Sequence, residues 1–432
     1  MIHPEEHKVK DGQFYKQRYL PQTVVIPLSQ HIGAKPELLV QKGQAVSVGE
    51  CIAKAKALVS ADVHASLTGI VEDIRPYAHP ILGKDIAVII KKTADDEFKP
   101  KERRIALLSN EELLACVHDA GIVGLGGACF PTHVKLKPTK EVDTLIVNGC
   151  ECEPYLSADD ATMTDHTDQM LEGVSIVSRI LGVSRVIIVI EDNKPEAITR
   201  VNSKLHTKKY SFLPKDVSVL KVPTAYPQEA EKQLIYTATK RVVPAGSLPA
   251  DVGCVVHNVT TFEAIYDAVY KGKPLIEKTV TFGGDALVES ANLRLCIGTR
   301  VNDLFADGIL KFKKPPRKVI FGGPMMGRTV ATLDMPIIKG TSGVLFLSDD
   351  CIDARPESAC IRCARCVDVC PMKLMPYEFA RSYKARAFDR IDAMSVNDCV
   401  ECGCCAFVCP AKIPLVGYVK AGKAELRKNK PK

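Results

Sequence analysis

Tryptophan is missing from all 432 residues, and phenylalanine and tyrosine bring the aromatic share to only 6%. Lysine and arginine do not interleave with those few aromatics in a stripe, which argues against nucleic acid as the partner. Missing too is any apolar run near the roughly 20 residues needed to cross a bilayer. The richest, Val186-Ile-Ile-Val-Ile190, stops at Glu191. The opening Met1-Ile-His-Pro-Glu-Glu is no basic-then-apolar leader, so a cytoplasmic chain is expected. Neither sign of charge is in large excess: the net charge is +7. Part of it gathers in Lys420, Lys423, Arg427, Lys428, Lys430 and Lys432, either a solvated end or a grip for an anionic membrane face or acidic partner.

What the chain has in excess is cysteine, 17 of them. In a long chain with no export signal these do not read as disulfides but as ligands in a reducing, oxygen-poor compartment. Eight fall in a repeat. Cys360-Ile-Arg-Cys363-Ala-Arg-Cys366-Val-Asp-Val-Cys370-Pro371 recurs 39 residues later as Cys399-Val-Glu-Cys402-Gly-Cys404-Cys405-Ala-Phe-Val-Cys409-Pro410. Three thiolates on a tight loop, with a fourth one helical turn on, suit a cubic iron–sulfur cluster, and in paired motifs the fourth cysteine serves the other cluster. Cys360, Cys363, Cys366 and Cys409 are therefore assigned to one [4Fe-4S] centre; Cys399, Cys402, Cys405 and Cys370 go to the second. Zinc needs only two C-x2-C pairs and leaves the third cysteine and the Cys-Pro ending unexplained. Cys404 is surplus and reads as structural.

With 46% apolar and 25% charged residues the composition is that of a globular protein, long enough for about three domains. The first hundred residues read as short strands punctuated by glycine, a small sandwich or barrel. Gly43 to Ala55 and Val63 to Val71 resemble biotinyl and lipoyl domains, but the hairpin tip near Leu58 lacks their modified lysine, which leaves a docking domain without a swinging arm. Lys91 to Arg104 reads as a linker containing Asp95 and Asp96. A helix from Asn110 to Ala120 empties into Gly121-Ile-Val-Gly124-Leu-Gly126-Gly127-Ala-Cys129-Phe-Pro-Thr132-His-Val-Lys135. Its glycines let backbone approach a ligand, and Lys135 adds a cation. On spacing alone, ligand loop and structural turn stay equally open. Strands Thr144–Val147 and Arg185–Ile190 around a helix ending at Leu181 give a βαβ rhythm and a parallel sheet. The first of them ends in Asn148-Gly-Cys150-Glu151-Cys152-Glu153-Pro154, where such sheets place ligands.

Taken together, the glycine loop, the Asn148–Pro154 segment and the cysteine repeat resemble the RnfC family, the C subunit of the Rnf complex, a ferredoxin:NAD oxidoreductase of bacterial membranes. Tyr226-Pro-Gln228, Gly322-Gly-Pro-Met-Met-Gly327 and Lys339-Gly-Thr-Ser-Gly343 match as well. The resemblance implies a multidomain α/β and α+β chain: a lipoyl-like β sandwich or barrel (1–98), a Rossmann-like flavin/NADH α/β domain (99–248), a β-grasp domain (249–348), a helical two-cluster ferredoxin domain (349–420) and a basic tail (421–432). It implies flavin mononucleotide (FMN) and NADH beside Gly124, Gly126, Gly127, Phe130, Lys135, Asn148, Glu151, Glu153 and Glu231. The function implied is an NADH-dependent oxidoreductase component, peripheral on the inner face of the membrane, that passes electrons to other electron-transfer subunits. Three segments depart from the family pattern: Cys129 and the pair Glu229-Ala230 stand where it has glycine, and Cys150 where it has alanine. They suggest a flavin-free electron-carrying adapter for a soluble reductase, such as proline reductase, as the alternative. They also suggest Cys129 as a redox-active thiol of lowered pKa.

Overall fold

The computed structural model describes residues 1–9, 18–95, 97–101, 103–208 and 210–428; Asp96, Lys430 and Lys432 lie outside them. The N-terminal strands form two sheets. In one, Thr23–Pro27, Gly83–Lys92, Gly69–His79 and Ala45–Val46 lie side by side, all antiparallel. In the other, Glu37–Leu38, Cys51–Lys54 and Val63–His64 pair antiparallel. Alternation puts Val24, Ile26, Val46, Ile52, Val63, Val71, Val88 and Ile90 into one core between the sheets.

Next comes a parallel sheet in the order Asp216–Val222, Arg185–Glu191, Thr144–Gly149, Cys254–Asn258. Arg185–Glu191, Thr144–Gly149 and Cys254–Asn258 are largely buried because helices cover both faces, whereas the edge strand Asp216–Val222 is part-exposed. Asn110–Asp119, Thr167–Leu181 and Val259–Lys271 pack on one side, and Glu231–Thr239 on the other. Two of the helices touch backbone to backbone: a Cβ on Gly173 would stand 2.0 Å from the Phe262 carbonyl oxygen. The boundary expected after residue 248 falls inside this layer. Cys254–Asn258 runs beside Thr144–Gly149, since a three-residue apolar core does not reveal in sequence which sheet it joins.

A five-stranded mixed sheet follows, ordered Ala291–Cys296, Glu277–Gly283, Gly343–Leu347, Lys318–Phe321, Arg328–Val330. Phe305 and Phe312 stack on each other, and Phe346 of the sheet's central strand meets both edge-on. The C-terminal part is helical, with Pro376–Lys384, Phe388–Ala393 and Leu415–Lys428 around the cysteine loops. The segment expected as a free basic tail is instead largely packed helix. Gly422 lies on Ile391, and the buried Lys423 donates to the Cys399 carbonyl (2.6 Å) and Glu401 (2.9 Å). Among the described residues no helix is long and apolar enough to cross a membrane.

Candidate functional site

Two features organise the site: the carboxyl ends of the parallel strands, and the cysteine loops. Strand order in the sheet reverses between Thr144–Gly149 and Cys254–Asn258, which opens a crevice at their carboxyl ends. The glycine loop sits over it. Gly124 N–H donates to the Phe130 carbonyl (2.9 Å) and Cys129 N–H to that of Gly124 (3.2 Å), which closes the loop. Leu125 N–H donates to Thr261 (3.0 Å), and a Cβ on Gly126 would lie 3.2 Å from Asn258 Cβ. Gly126 to Ala128 face solvent. Gly127 holds φ +102° with no described residue within 4 Å of a Cβ position, an open backbone shelf that only glycine adopts without strain. Phe130 is half-buried, and Lys135 closes the short helix Thr132–Lys135 with its ammonium 2.5 Å from Glu231.

Beneath the shelf is a group of acids. Asn148 donates to the Glu229 carbonyl (2.9 Å) and accepts from Cys150 N–H (3.1 Å). Glu151 accepts the Asp159 and Asp160 N–H groups (3.1 and 3.3 Å) at the start of helix Ala158–Asp165. Glu153 accepts those of Met325 (3.1 Å) and Met326 (2.8 Å), so the Gly322–Gly327 turn wraps its carboxylate. Burial, then the neighbouring Asp159, push Glu151 up to about 8; burial pushes Glu153 up to about 7. Glu229 keeps part of its surface accessible, yet the surrounding protein and Glu153, Asp159, Glu191 and Glu151 raise its carboxyl well above the usual range. Protonated acids are hydrogen-bond donors rather than a wall of negative charge.

The residues that depart from the family pattern leave the shelf clear. Cys129 takes φ +51°, a conformation glycine adopts freely. Its Sγ packs under Gly340, turned away from the exposed face and toward Lys278 and Lys339. Burial pushes its thiol up to about 11, the reverse of the lowered pKa expected from a helix start and nearby cations. Cys150 points into the sheet core toward the Val189 carbonyl. These residues fit a flavin against open glycine backbone with hydrogen-bonding groups beneath.

The cysteine loops repeat in backbone as well as in sequence. Positive φ recurs at Arg362 and Glu401 (55° and 58°), Ala364 and Gly403 (61° and 84°), and Lys373 and Lys412 (58° and 52°). Each loop therefore folds its thiols inward in the same way. Cys360, Cys363, Cys366 and Cys409 line one cavity of about 620 Å³, and Cys370, Cys399, Cys402 and Cys405 line a second recess. Both quartets fit clusters. The first lies outward, with Cys360 and Cys363 exposed; the second lies inward, with Cys370, Cys402 and Cys405 buried. Cys404 is fully buried beside Cys402, whose thiol it lowers to about 7 by hydrogen bonding.

The inner loop abuts the strand-end site. Tyr226, completely buried, donates its hydroxyl to the Cys402 carbonyl (2.6 Å) and packs with Cys152 and Met325. A Cβ on Gly403 would stand 2.7 Å from the Met325 carbonyl oxygen, and Gln233 reaches the Pro371 carbonyl (3.3 Å). Sequence reasoning missed Tyr226 in this role, together with Asp159, Asn258 and the buried Glu191–Lys194 pair. The strand-end rule alone would have found Asn258 and Glu191, which terminate their strands.

Three family models match the chain: an RnfC barrel sandwich hybrid domain over residues 2–95, a Nuo51 FMN-binding domain over 117–267, and a 4Fe-4S dicluster domain over 359–413. Among similar proteins is the C subunit of the proton-translocating ferredoxin:NAD(+) oxidoreductase complex of Clostridium ljungdahlii, 48% identical over 83% of this chain and 78% of that one. The C subunit of the ion-translocating oxidoreductase complex of Rhodobacter capsulatus is 39% identical over 87% and 73%. The C subunit of the Na(+)-translocating ferredoxin:NAD(+) oxidoreductase complex of Acetobacterium woodii is 38% identical over 86% and 83%. A solved chain of an NAD+-reducing [NiFe]-hydrogenase shares the fold at TM-score 0.50 and 17% identity, over 77% of this chain and 69% of that one.

Proposed function

The chain belongs to the RnfC family, and from that premise we propose that it passes electrons between NADH at the glycine loop and other components of a membrane complex through two [4Fe-4S] clusters. The observation that carries the reading is the order of the parts. Tyr226 and Met325 tie the strand-end site to the inner cysteine quartet, and the outer quartet lies beyond it at the surface. Bound FMN supplies the exchange between a carrier of two electrons and clusters that take one at a time.

The protein's own contribution is placement. Gly124, Gly126, Gly127 and Phe130 present the shelf, Lys135 held by Glu231 adds a cation beside it, and Asn148 reaches in from the strand end. Glu151 and Glu153 act from behind, one fixing the start of a helix and the other the turn against the inner loop. The inner cluster, on Cys370, Cys399, Cys402 and Cys405, is kept from water by burial. The outer cluster, on Cys360, Cys363, Cys366 and Cys409, meets the partner. That partner holds the chain peripherally on the inner face of the membrane.

Anaerobic purification with iron and flavin assays, followed by NADH and electron paramagnetic resonance, tests the order. In Cys363→Ala, NADH still reduces the inner cluster but an external one-electron acceptor receives little. In Cys402→Ala, the outer cluster stays oxidised. An outer cluster that NADH reduces at the parental rate in Cys402→Ala refutes the order. A protein that fills with iron, binds no flavin and stays oxidised under NADH is the flavin-free adapter instead.

A further inference from the structure

The cysteine loops are not the only place where soft ligands converge. In the N-terminal unit Cys51 and His64 are cross-strand partners of Cys51–Lys54 and Val63–His64. Asp62, two residues before His64, falls on the same side. The Cys51 Sγ, a carboxylate oxygen of Asp62 and an imidazole nitrogen of His64 all lie within 4.8 Å of one another.

Hydrogen bonding at this cluster is incomplete in one telling respect. His64 is only 5% exposed, and its Nδ1 is buried with no hydrogen-bond partner among the described residues. The backbone carbonyl of Asp119 faces the ring. Burial holds the imidazole neutral, pushed down to about 3. A neutral imidazole backed by a carbonyl, with a ring nitrogen within 4.8 Å of a thiol and a carboxylate, resembles a metal-ligating histidine and its supporting partner. A Cys–His nucleophilic pair would need a charged imidazolium, which this environment disfavours.

The neighbouring groups set the charge. Asp62 Oδ2 accepts from Lys54 (2.7 Å) and Oδ1 from Ala55 N–H (2.8 Å), so the carboxylate is oriented before any ion arrives. Lys54 also reaches Asp119 (3.4 Å). The fully buried Lys339 donates to the carbonyls of Asp62 and Gly121 (both 2.7 Å). Two lysines beside the cluster call for ligands that bring their own negative charge. A Cys51 thiolate and the Asp62 carboxylate bring two negative charges to a divalent ion, and Asp119 offsets Lys54.

We propose that Cys51, Asp62 and His64 form a zinc site with a fourth position left to water on the half-buried Cys51 side. Zinc takes this sulfur, nitrogen and oxygen set in tetrahedral geometry, and closing the ligand atoms to its bond lengths of about 2.0–2.3 Å needs side-chain movements on the order of 1 Å. The binding step is balanced by release of the Cys51 thiol proton to water. The site lies where the N-terminal unit meets the helix Asn110–Asp119, whose end leads through Gly121 into the glycine loop. Zinc here pins the N-terminal unit against the approach to that loop.

The test uses the full-length protein, washed with chelator, incubated with zinc chloride and desalted. Zinc is counted by mass spectrometry and its ligands read by X-ray absorption at the zinc edge. The expected result is one zinc per chain with one sulfur and the remaining ligands nitrogen or oxygen. Cys51→Ser and His64→Ala each lower zinc affinity at least about ten-fold while iron content stays at the parental level. Cys360→Ala keeps its zinc. Absence of zinc above background in the parent overturns the site. So does a set of four sulfur ligands, or zinc that persists in Cys51→Ser, because either puts the metal in the cluster loops. The ligand set of the parent decides the matter even where a variant folds poorly.

Discussion

Replacing Lys194 by methionine removes one half of an ion pair that has no access to water. Lys194 and Glu191 side chains are both 0% exposed, with Nζ 2.8 Å from Oε2, and Lys194 also bonds the Asn193 side chain (3.0 Å). Burial disfavours the ammonium, but the charge and hydrogen bond of Glu191 outweigh it and keep Lys194 charged. At an effective dielectric of ~20, unit charges at that separation attract by about 6 kcal/mol. Part of this is offset by desolvation, which leaves ~3–5 kcal/mol as the cost of stranding Glu191. For a unit the size of the parallel-sheet layer, that lowers the melting temperature by on the order of 10 °C. The double variant Glu191→Gln/Lys194→Met strands no charge and regains at least half of the loss. Differential scanning calorimetry of the three proteins, with iron content matched, measures it. A single variant that melts within about 2 °C of the parent, or a double variant no better than the single, refutes the reasoning.

The acids under the glycine loop set a pH dependence of the opposite sense to ordinary acid denaturation. Because the fold raises Glu151 to about 8 and Glu153 to about 7, their contribution is fully present at low pH and is lost as pH rises through those values. The parallel-sheet layer therefore melts higher at pH 6 than at pH 8.5, and Glu153→Gln flattens the difference. Glu277 runs the other way. Burial works against its charge, but Arg294, Lys273 and Arg18 overcome this and hold it down at about 2. It stabilises by about 3 kcal/mol above pH ~4.5, and that is lost as pH falls toward 2, which Glu277→Gln removes. Cys129, buried and raised, resists iodoacetamide in the native protein at pH 8 while the exposed Cys351 reacts; peptide mapping after a timed pulse checks it. Gly173→Ala sets a methyl against the Phe262 carbonyl and costs ~2–3 kcal/mol or more by the same calorimetry.

Much of the site was legible because its residues are close in sequence. The cysteine repeat carries its own geometry, since thiols three positions apart converge only if the loop turns back, and the positive φ values at Arg362 and Glu401 are that turn. The glycine loop announced itself by composition. What stayed hidden depends on pairing between distant segments. Nothing in Cys254–Asn258 tells that it lies beside Thr144–Gly149, so Asn258 was not seen as a neighbour of Gly126. Cys51 and His64 face each other across two strands without any motif. Cys129 looked reactive because its helix start and cations are visible in sequence, whereas the packing of its sulfur under Gly340 comes from a segment more than two hundred residues away. Lys423 read as free charge for the same reason: its partner, the Cys399 carbonyl, is a backbone group that composition does not reveal.

The unequal exposure of the two cysteine quartets has a consequence for damage. Oxidants arriving from solvent meet Cys360 and Cys363 first, while the inner quartet is shielded by Tyr226, Met325 and the helix bearing Lys423. On the proposed order of the parts, injury by air severs the chain from its partner before it reaches the nucleotide end. The surface loop behaves as a fuse, failing open so that the interior survives and repair needs only the rebuilding of the outermost cluster.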